Sequence, residues 1–518
     1  MKYPILILVL ILSGQTVFSQ KPLQSKQIDS LVARTMSTMP LAGIAIAVVK
    51  DGKIVHARGY GVSSIKTKEK VDENTLFAIA SNSKAFTTAA LSILVDEGKI
   101  SWHDKVVDHI PEFKMYDPYV TANFNIQDLL THRSGLGLGA GDLMFFPDGS
   151  DHGIKDILNG FQYMKPVSAF RTQFDYDNLL YMVAGEVVKR TSGMPWSDFV
   201  EKRIMAPLNM KRSVGLYTRL KEIKNVAAPH TAFGSELKQI EPYTKSQDVL
   251  AAAGGIYSSV LDLSQWVIMH LNDGKLPDGK QLFSSENHAE MWKPHINMRF
   301  NVIPGKRYKS HFTSYGLGWN ITDKNGYIEV NHTGGLPGML SKVAMIPELN
   351  VGIIVLTNTD PGGYAFFSIT KAILDSYLGL KPEDDIGNSE RRLKNNESSA
   401  DSVVKAVWNA VKIAKSDVKL NDYTGTFRDP WFGDVKVHLK DGRLWFTCVR
   451  SPKLNGQMFY YKANTFVVQW DYQDMPADAF AMFQLDEEGR ATGITMKAIS
   501  PATDFSFDFH DLDLKKVH

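Results

Sequence analysis

Short runs of strand-forming residues stand at both ends of the first 380 residues and enclose a long stretch that carries helix signals. The runs 42–49 and 54–60 are rich in apolar residues, and the Asp51-Gly52 dipeptide between them favours a tight hairpin turn. Further apolar runs divided by turn residues follow at 326–331, 341–346 and 351–358. Residues from about 100 to 300 instead show helical spacing with Gly and Pro loops. We therefore predict a sheet whose strands come from both ends and flank a helical insert.

Four helices are predicted most clearly, from apolar residues at helical spacing and from capping residues. The first covers residues 28–36, and the last covers 364–380. A second begins near Ala80–Ser81 and ends at Gly98, because glycine commonly follows the end of a helix. Another is capped by Ser259, whose hydroxyl can accept a hydrogen bond from the first turn. These helices supply the layers that cover the sheet.

The C-terminal hundred residues have a different character from the rest. The composition turns polar between 381 and 416, and we interpret 388–402 as a hinge before a short helix at 403–413. From Tyr423 onward, short β runs and turns predict an antiparallel β-barrel, with its aromatic residues as core rather than as a ligand cavity. The predicted strands include 435–439, 444–449, 465–470 and 505–509, and Asn455-Gly456 is a predicted turn. The domains are then a signal peptide at 1–19, a main domain at 20–385, a linker with a short helix at 386–416 and the barrel at 417–518.

The first nineteen residues have the features of a secretory signal. Lys2 precedes the apolar run Ile5 to Leu12, and a small residue, Ser19, precedes the expected cut. This run is shorter than the ~20 residues that cross a bilayer, so we expect an exported protein, periplasmic or secreted, without a stable membrane anchor. The 58 Lys and Arg against 56 Asp and Glu leave a net charge of +2, which argues against nucleic acid as a partner. A single cysteine, Cys448, excludes an intramolecular disulfide and a zinc-finger motif.

The segment Ser81-Asn82-Ser83-Lys84 lies at the predicted start of a helix. Positions i and i+3 share one face, so the Ser81 hydroxyl and the Lys84 amine can meet there. A serine is a weak nucleophile until a base takes its proton, and a lysine can do this only where desolvation keeps part of it neutral. The same spacing recurs at Ser63–Lys66, Ser402–Lys405 and Ser416–Lys419, so this pattern alone does not define a site.

Two further patterns follow in order, and each occurs once: Tyr176-Asp177-Asn178 and His332-Thr333-Gly334-Gly335. With Ser81 and Lys84, they make the sequence resemble the serine β-lactamase and penicillin-binding-protein superfamily, in its class C-like branch of D-aminopeptidases, D,D-carboxypeptidases and esterases. The segment Asn125–Leu136 also looks like a family segment, and the resemblance covers roughly residues 24–380. Residues 423–508 are similar to the lipocalin-like barrel of some of these hydrolases. The resemblance implies a β-lactamase/transpeptidase-like α/β (α+β) fold, with an antiparallel sheet flanked by helices and an all-helical subdomain.

The resemblance also implies a role for each matching residue. Ser81 would be the acylated nucleophile, with Lys84 as its hydrogen-bonded partner. Tyr176 would be the general base, with its pKa lowered by the charge of Lys84. Asn178 would donate its amide to the acyl carbonyl of the substrate and help to hold Lys84. The backbone N–H groups of Ser81 and Gly335 would form the oxyanion hole.

The third pattern narrows the expected substrate, because most β-lactamases have lysine where this chain has His332. Histidine is mostly neutral at pH 7 and offers one hydrogen bond but little fixed charge for a substrate carboxylate. Efficient β-lactam hydrolysis is therefore less expected than turnover of an unstrained amide or ester. Thr333 could bind a polar substrate group, while Gly334 and Gly335 would let an extended substrate lie along the strand.

The favoured function is an exported serine hydrolase that acts on amide or ester bonds, with D-amino-acid or cell-wall-type peptides as the preferred substrates. A carboxylesterase and a penicillin-binding sensory protein with little turnover are the alternatives. No cofactor is implied, and the histidines lack the spacing of a metal site. We expect the barrel either to pack near the mouth of the site and limit access, or to mediate homo-oligomer formation.

Overall fold

A computed structural model describes residues 21–232, 236–245, 247–299, 307–415 and 417–517, so the signal peptide predicted at 1–19 lies outside the described residues. The described α-helices are α1 Ser25–Thr38, α2 Ser83–Asp96, α3 Val106–His109, α4 Pro118–Asn123, α5 Ile126–Leu130, α6 Ile154–Gly160, α7 Leu179–Ser192, α8 Trp196–Val200, α9 Gln247–Gly254, α10 Val260–Leu271, α11 Ser285–Met291, α12 Gly362–Tyr377 and α13 Asp385–Ile413. The strands of the first part are β1 Gly43–Lys50, β2 Lys53–Gly61, β3 Phe77–Ala78, β4 His230–Thr231, β5 Lys238–Gln239, β6 Tyr257–Ser258, β7 Ile296–Asn297, β8 Thr313–Tyr315, β9 Asn320–Lys324, β10 Tyr327–Leu336, β11 Met339–Ile346 and β12 Val351–Thr357. The strands of the second part are β13 Gly425–Asp429, β14 Gly433–Lys440, β15 Arg443–Cys448, β16 Asn455–Lys462, β17 Thr465–Trp470, β18 Ala479–Leu485, β19 Ala491–Ala498 and β20 Asp513–Lys516.

Strands from both ends of the first part form one antiparallel sheet of eight strands, in the order β2-β1-β12-β11-β10-β9-β8-β7. β1 pairs with β12 from Ile44↔Thr357 to Lys50↔Val351, which joins the early hairpin to the late strands. Successive residues of a strand point to opposite faces. Accordingly, Ile44 and its alternate neighbours pack with α1 and α12, while Ala45 and its alternate neighbours face the main core, which includes α10. The predicted sheet, its flanking helices and the helical insert are confirmed.

The insert places one helix at the centre of the molecule. Residues 83–94 of α2 are all buried, so this helix is surrounded by protein on every side, with α7 and α9 among its neighbours. Its apolar residues recur all round the helix, as expected where no face meets water. Any polar group at the start of α2 is therefore withdrawn from solvent, which matters for the chemistry described below.

The second part is a closed barrel in which β13 to β20 follow one another in sequence order and β20 returns to β13. Closure leaves no strand with unpaired edge groups. Aromatic side chains pack edge to face inside it, as in Tyr423 with Phe483 at 5.0 Å and Phe466 with Phe483 at 5.7 Å between ring centroids. The prediction that these aromatic residues form core is consistent with this packing.

Three local predictions in the C-terminal part were wrong. The hinge expected at 388–402 is helical, because α13 runs unbroken from Asp385 to Ile413. Its polar residues lie on an exposed face and form pairs such as Glu390–Lys394 at 2.6 Å. Asn455-Gly456 begins β16 rather than a turn, and a Cβ at Gly456 would meet the backbone of Gln469 on β17. The residues 505–509 form no strand and lie between β19 and β20.

The barrel is fastened to the helical insert by polar contacts. Arg450 of the barrel binds Asp151 at 2.6 Å and Asp156 at 2.8 Å, and Lys165 binds Asp513 at 3.0 Å. Phe507 also packs edge to face against Phe146 of the insert, with 5.0 Å between centroids. Within the described ranges, none of the helices combines the length and the apolar character that crossing a membrane requires.

Candidate active site

The chain makes a tight turn before the predicted nucleophile. Ala80 has φ of +47°, a left-handed conformation that costs a non-glycine residue about 1–3 kcal/mol. Ser81 follows in a short 3-10 turn that leads directly into α2, as the predicted helix start required. The neighbouring Ser83 hydroxyl accepts a hydrogen bond from the backbone of Ile256 at 3.1 Å and ties the turn to the insert. Such strain persists only where the surrounding contacts hold it in place.

Lys84 binds three acceptors beneath Ser81. Its Nζ donates to Ser81 Oγ at 3.1 Å, to Asn178 Oδ1 at 2.7 Å and to the carbonyl of Ala253 at 3.0 Å. The side chain is fully buried, and desolvation lowers the pKa of its amine to about 7 although Asp142 and Asp177 oppose the shift. A large fraction of Lys84 is therefore neutral near neutral pH, which a base for Ser81 needs to be.

Tyr176 lies beside Ser81 and Lys84, but its acidity differs from the expectation. Lys84 Nζ lies 4.8 Å from the centroid of the Tyr176 ring. Burial raises the pKa of this phenol well above its usual value, and a hydrogen bond with Ser81 only partly opposes that shift. The predicted lowering by the charge of Lys84 is wrong, because the phenol is enclosed and Lys84 is itself partly neutral. At neutral pH, Tyr176 is therefore a neutral phenol, which can donate its proton and then take one back.

Asn178 is held at both ends of its amide. Its Oδ1 accepts from Lys84, and its Nδ2 donates to Asp142 Oδ2 at 2.9 Å. One of the two amide hydrogens is thus used inside the protein, and one is left for a substrate carbonyl. The carboxyl of Asp142 is fully buried, and this burial raises its pKa well above the usual range.

His332 lines the site but has its ring nitrogens occupied. Its Nδ1 lies 2.6 Å from the carbonyl of Thr333, which can only accept, so Nδ1 carries the proton. Nε2 then accepts from the hydroxyl of Tyr315 at 2.9 Å. Burial lowers the pKa of His332 to about 3, so the ring carries no charge. A direct hydrogen bond from His332 to substrate, as the sequence suggested, would require one of these internal bonds to break.

The glycines after Thr333 let strand β10 approach the nucleophile. A Cβ on Gly334 would lie 2.9 Å from the backbone nitrogen of Ser81, and closer still to Ile79 O and Ser341 Oγ. Gly335 is exposed, and a Cβ there would meet only Leu340 Cδ1, at 3.5 Å. Only residues 327–331 of β10 pair with β9, whereas 330–336 pair with β11. The half of β10 that carries Thr333, Gly334 and Gly335 therefore has a backbone edge unpaired by β9.

A cavity of about 510 Å³ opens over these residues and is lined by Ser81, Tyr176, Asn178, His332, Thr333 and Gly335. The opposite wall comes from the barrel and comprises Met475, Pro476, Ala502, Asp504, Phe505 and Ser506. The expectation that the barrel packs near the mouth of the site is thus met by the geometry. Among the described residues, no cluster of three or more His, Cys, Asp or Glu side chains could hold a metal ion.

Four polar residues near the site had no assigned role in the sequence. His132 accepts a hydrogen bond from the backbone of Asp177 at 3.0 Å, and its ring is tilted against that of Tyr176 with 4.3 Å between centroids. It lies in the segment 125–136, among the histidines that lack the spacing of a metal site. Asp177 is buried beside Lys84, and burial raises the pKa of its carboxyl to about 7. Asp142 and Ser506 belong to no motif, so only the folded chain brings them to Asn178.

Comparison with known proteins agrees with this geometry. Residues 28–376 match the Beta-lactamase family model, and residues 409–516 match a domain of unknown function, DUF3471. The chain is 27% identical over 363 residues to the unguisins hydrolase ungD' of Aspergillus campestris, with 68% of this chain and 65% of that protein aligned. It is 26% identical over 343 residues to protein flp of Staphylococcus aureus, with 64% and 63% aligned. The chain thus spans just under two thirds of the length of these curated relatives.

A solved structure covers nearly the whole chain. The octameric penicillin-binding protein homologue from Pyrococcus abyssi aligns with a TM-score of 0.61 at 20% identity, over 95% of this chain and 100% of that one. The fold is thus of the β-lactamase and transpeptidase class, carrying an added closed barrel. The chain belongs to the β-lactamase family, since the family model spans more than half of its residues.

Proposed function

We propose that the protein is a serine hydrolase that forms an acyl-enzyme at Ser81 and cleaves amide or ester bonds. The observation that carries this proposal is the environment of Lys84. In its neutral form, the amine has two hydrogens for the two carbonyl acceptors, Asn178 Oδ1 and Ala253 O, and one lone pair. That lone pair is then available to the Ser81 hydroxyl at 3.1 Å.

The reaction would begin when Lys84 accepts the proton of Ser81 as its oxygen attacks the substrate carbonyl. The backbone N–H groups of Ser81 and Gly335 would stabilise the oxyanion, and each such donor lowers the barrier by about 3 kcal/mol. Tyr176, hydrogen-bonded to Ser81, would pass a proton to the leaving group as the tetrahedral intermediate collapses. Water would then attack the acyl-enzyme, and the proton would return by the same groups.

Peptides are the substrates we favour within this class. The open edge of β10 offers backbone groups to an extended chain, which a peptide can pair with and a simple ester cannot. Among the described residues that line the cavity, none places a permanently charged cation next to Thr333, because His332 is neutral. This disfavours substrates that depend on a free carboxylate at that point. One relative of the chain is named as a hydrolase of unguisins, which supports hydrolysis as the activity.

The test is intact-mass spectrometry of the full chain after exposure to a fluorophosphonate, to penicillin and to a panel of D- and L-amino-acid amides and aryl esters. Wild type should gain one adduct and Ser81→Ala none. Ser402→Ala is the matched control, because Ser402 and Lys405 have the same spacing on exposed α13. Turnover of amides would support a peptidase, and turnover of aryl esters alone would favour the carboxylesterase. A persistent penicillin adduct without turnover would favour the penicillin-binding sensory protein, and an adduct that survives in Ser81→Ala would contradict the proposal.

We also propose that the protein is exported and acts in the periplasm or outside the cell, as the N-terminal sequence suggests. Expression of the full chain with its leader should yield a protein that begins at Gln20, detectable by N-terminal mass analysis. A homo-oligomer is a further proposal, supported only by the octameric state of the Pyrococcus abyssi protein. Light scattering on the purified protein would test it.

A further inference from the structure

A segment of the barrel reaches into the insert beside the active site. We name residues 500–511, between β19 and β20, the C-terminal strap. Phe505 of the strap lies against Gly139, where a Cβ would meet both the Phe505 ring and the Phe505 carbonyl within about 3 Å. Gly139 has φ of +72° and donates its backbone N–H to the carbonyl of Tyr176 at 2.8 Å. The strap thus touches the loop that supports the tyrosine of the site.

Asp508 of the strap caps a turn that belongs to the insert. Its two carboxyl oxygens accept hydrogen bonds from the backbone N–H groups of Gly141 at 2.8 Å and Leu143 at 2.9 Å. These groups lie at the start of the 3-10 turn 142–144, where backbone donors have no partner within the turn. All the groups involved are buried, so loss of the acceptor would leave two donors unpaired. Asp508 therefore fixes the turn that carries Asp142.

Ser506 and Asn178 share one acceptor on Asp142. The Ser506 hydroxyl donates to Asp142 Oδ2 at 2.8 Å, and Asn178 Nδ2 donates to the same oxygen at 2.9 Å. The two ends of an asparagine amide have nearly the same shape, so its partners decide which end faces Lys84. A flipped amide would turn its NH2 group toward the Lys84 amine and lose the bond at 2.7 Å. Asp142 thus sets the orientation of Asn178, and through it the place of Lys84 under Ser81.

We propose that Ser506 and Asp508 of the barrel are positioning residues for the acylation of Ser81. Acting through Asp142, they hold the Asn178 amide with its oxygen toward Lys84. The inference rests on the proposed function at Ser81 and gives the barrel a part in it beyond limiting access. Neither residue needs to touch the reacting atoms, and errors of about 1 Å in such supports can lower a rate on the order of 100-fold.

The experiment uses the full chain with single substitutions Ser506→Ala, Ser506→Thr and Asp508→Asn. Asp429→Asn is the matched control, because Asp429 is also buried and caps backbone donors, Trp431 at 3.0 Å and Asp513 at 2.9 Å, but within the barrel. Each variant is assayed for the rate of fluorophosphonate labelling at Ser81, for kcat and KM on an aryl ester, and for Tm.

Ser506→Ala should lower the labelling rate and kcat by about 10-fold with KM changed less than about twofold, and Ser506→Thr should restore most of the loss. Asp508→Asn should lower kcat by about 10-fold or more, because an amide cannot accept at both atoms. Asp429→Asn should lower Tm but leave kcat near wild type. The inference is overturned, and the proposed function stands, if Ser506→Ala and Asp508→Asn have the same kcat as Asp429→Asn while wild type is still labelled at Ser81. If wild type does not label at Ser81, both fail.

Discussion

The Lys84 amine, the base of the proposed mechanism, is fully buried. It lies over the ring of Tyr176 and 5.3 Å from the ring centroid of Tyr181, near the buried carboxyl groups of Asp142 and Asp177. The two histidines of the site, His132 and His332, are kept neutral by burial. Protonation of Lys84, beside the Asp177 carboxyl whose pKa is also about 7, is therefore the charge change that we expect to control the reaction near neutral pH.

This predicts the direction of the pH profile. Activity should rise with pH through about 7, because the neutral fraction of Lys84 grows as its lowered pKa is passed. The profile of kcat/KM from about pH 5.5 to about pH 9 on an uncharged ester is the measurement. A flat profile, or one that falls through this range, would remove Lys84 from the role of base.

The lowered pKa of Lys84 should also make the free energy of unfolding depend on pH. Between about 7 and its unfolded value of 10.5, the unfolded chain binds more protons than the native one, so the free energy of unfolding rises with pH. For one proton, the limiting slope is about 1.4 kcal/mol per pH unit. Lys84→Met should lack this contribution. The free energy of unfolding in urea, plotted against pH for wild type and variant, should therefore give two curves whose difference changes between about pH 7 and pH 10.5. Parallel curves would mean that the amine is charged in the native protein.

The close fit of strand β10 against the residues before α2 depends on Gly334. Gly334→Ala would place a Cβ against Ile79 O and Ser81 N and push the strand from the nucleophile. We expect kcat/KM to fall about 100-fold or more and the free energy of unfolding to fall by about 1–3 kcal/mol. Gly335→Ala, one residue on, meets only a side chain at 3.5 Å and should cost far less. Equal losses in the two variants would show that the close approach is not what matters.

Elements could be predicted from sequence where local pattern decides the structure. The hairpin of β1 and β2 carries its own turn signal, and α10 carries its own cap, in which Ser259 Oγ accepts from Asp262 N at 3.2 Å. The strap shows the opposite case, because its Phe-Ser-Phe-Asp-Phe alternation is that of a strand. Phe507 and Phe509 are indeed buried, but the alternating polar residues Ser506 and Asp508 bind the insert rather than solvent.

Site residues also divide into those that a sequence motif predicts and those that only the folded chain brings together. Ser81, Lys84, Tyr176 and Asn178 lie in short motifs whose order along the chain is informative, and the structure brings them together. Asp142 and Ser506 are separated by most of the chain and carry no motif, so their contact could not be predicted. The acidity of Tyr176 was predicted in the wrong direction because burial is a property of the fold and is not visible in three residues.

At the scale of the whole molecule, the barrel forms one wall of the cavity, and Phe505 is its most exposed aromatic residue there, at 40%. Its ring meets that of Tyr176 edge to face at 6.0 Å. Phe505→Ala should widen the mouth and raise kcat/KM for bulky peptides about 3-fold to 10-fold, with small aryl esters changed less than about twofold. Val449→Ala, an exposed apolar residue of the barrel outside the cavity lining, is the control. An equal change for large and small substrates would contradict a steric role.

The contact of Asp508 with Gly141 and Leu143 affects when the site can be completed during synthesis of the chain. A ribosome makes Ser81 long before it makes Ser506 and Asp508, which hold this turn. A nascent chain thus cannot complete the support of Asn178 until residues 506–508 have been synthesised, and a chain trimmed before Ser506 never can. A truncated translation product that ends between Gly335 and Ser506 would therefore carry every motif of the site without the contacts that support Asn178.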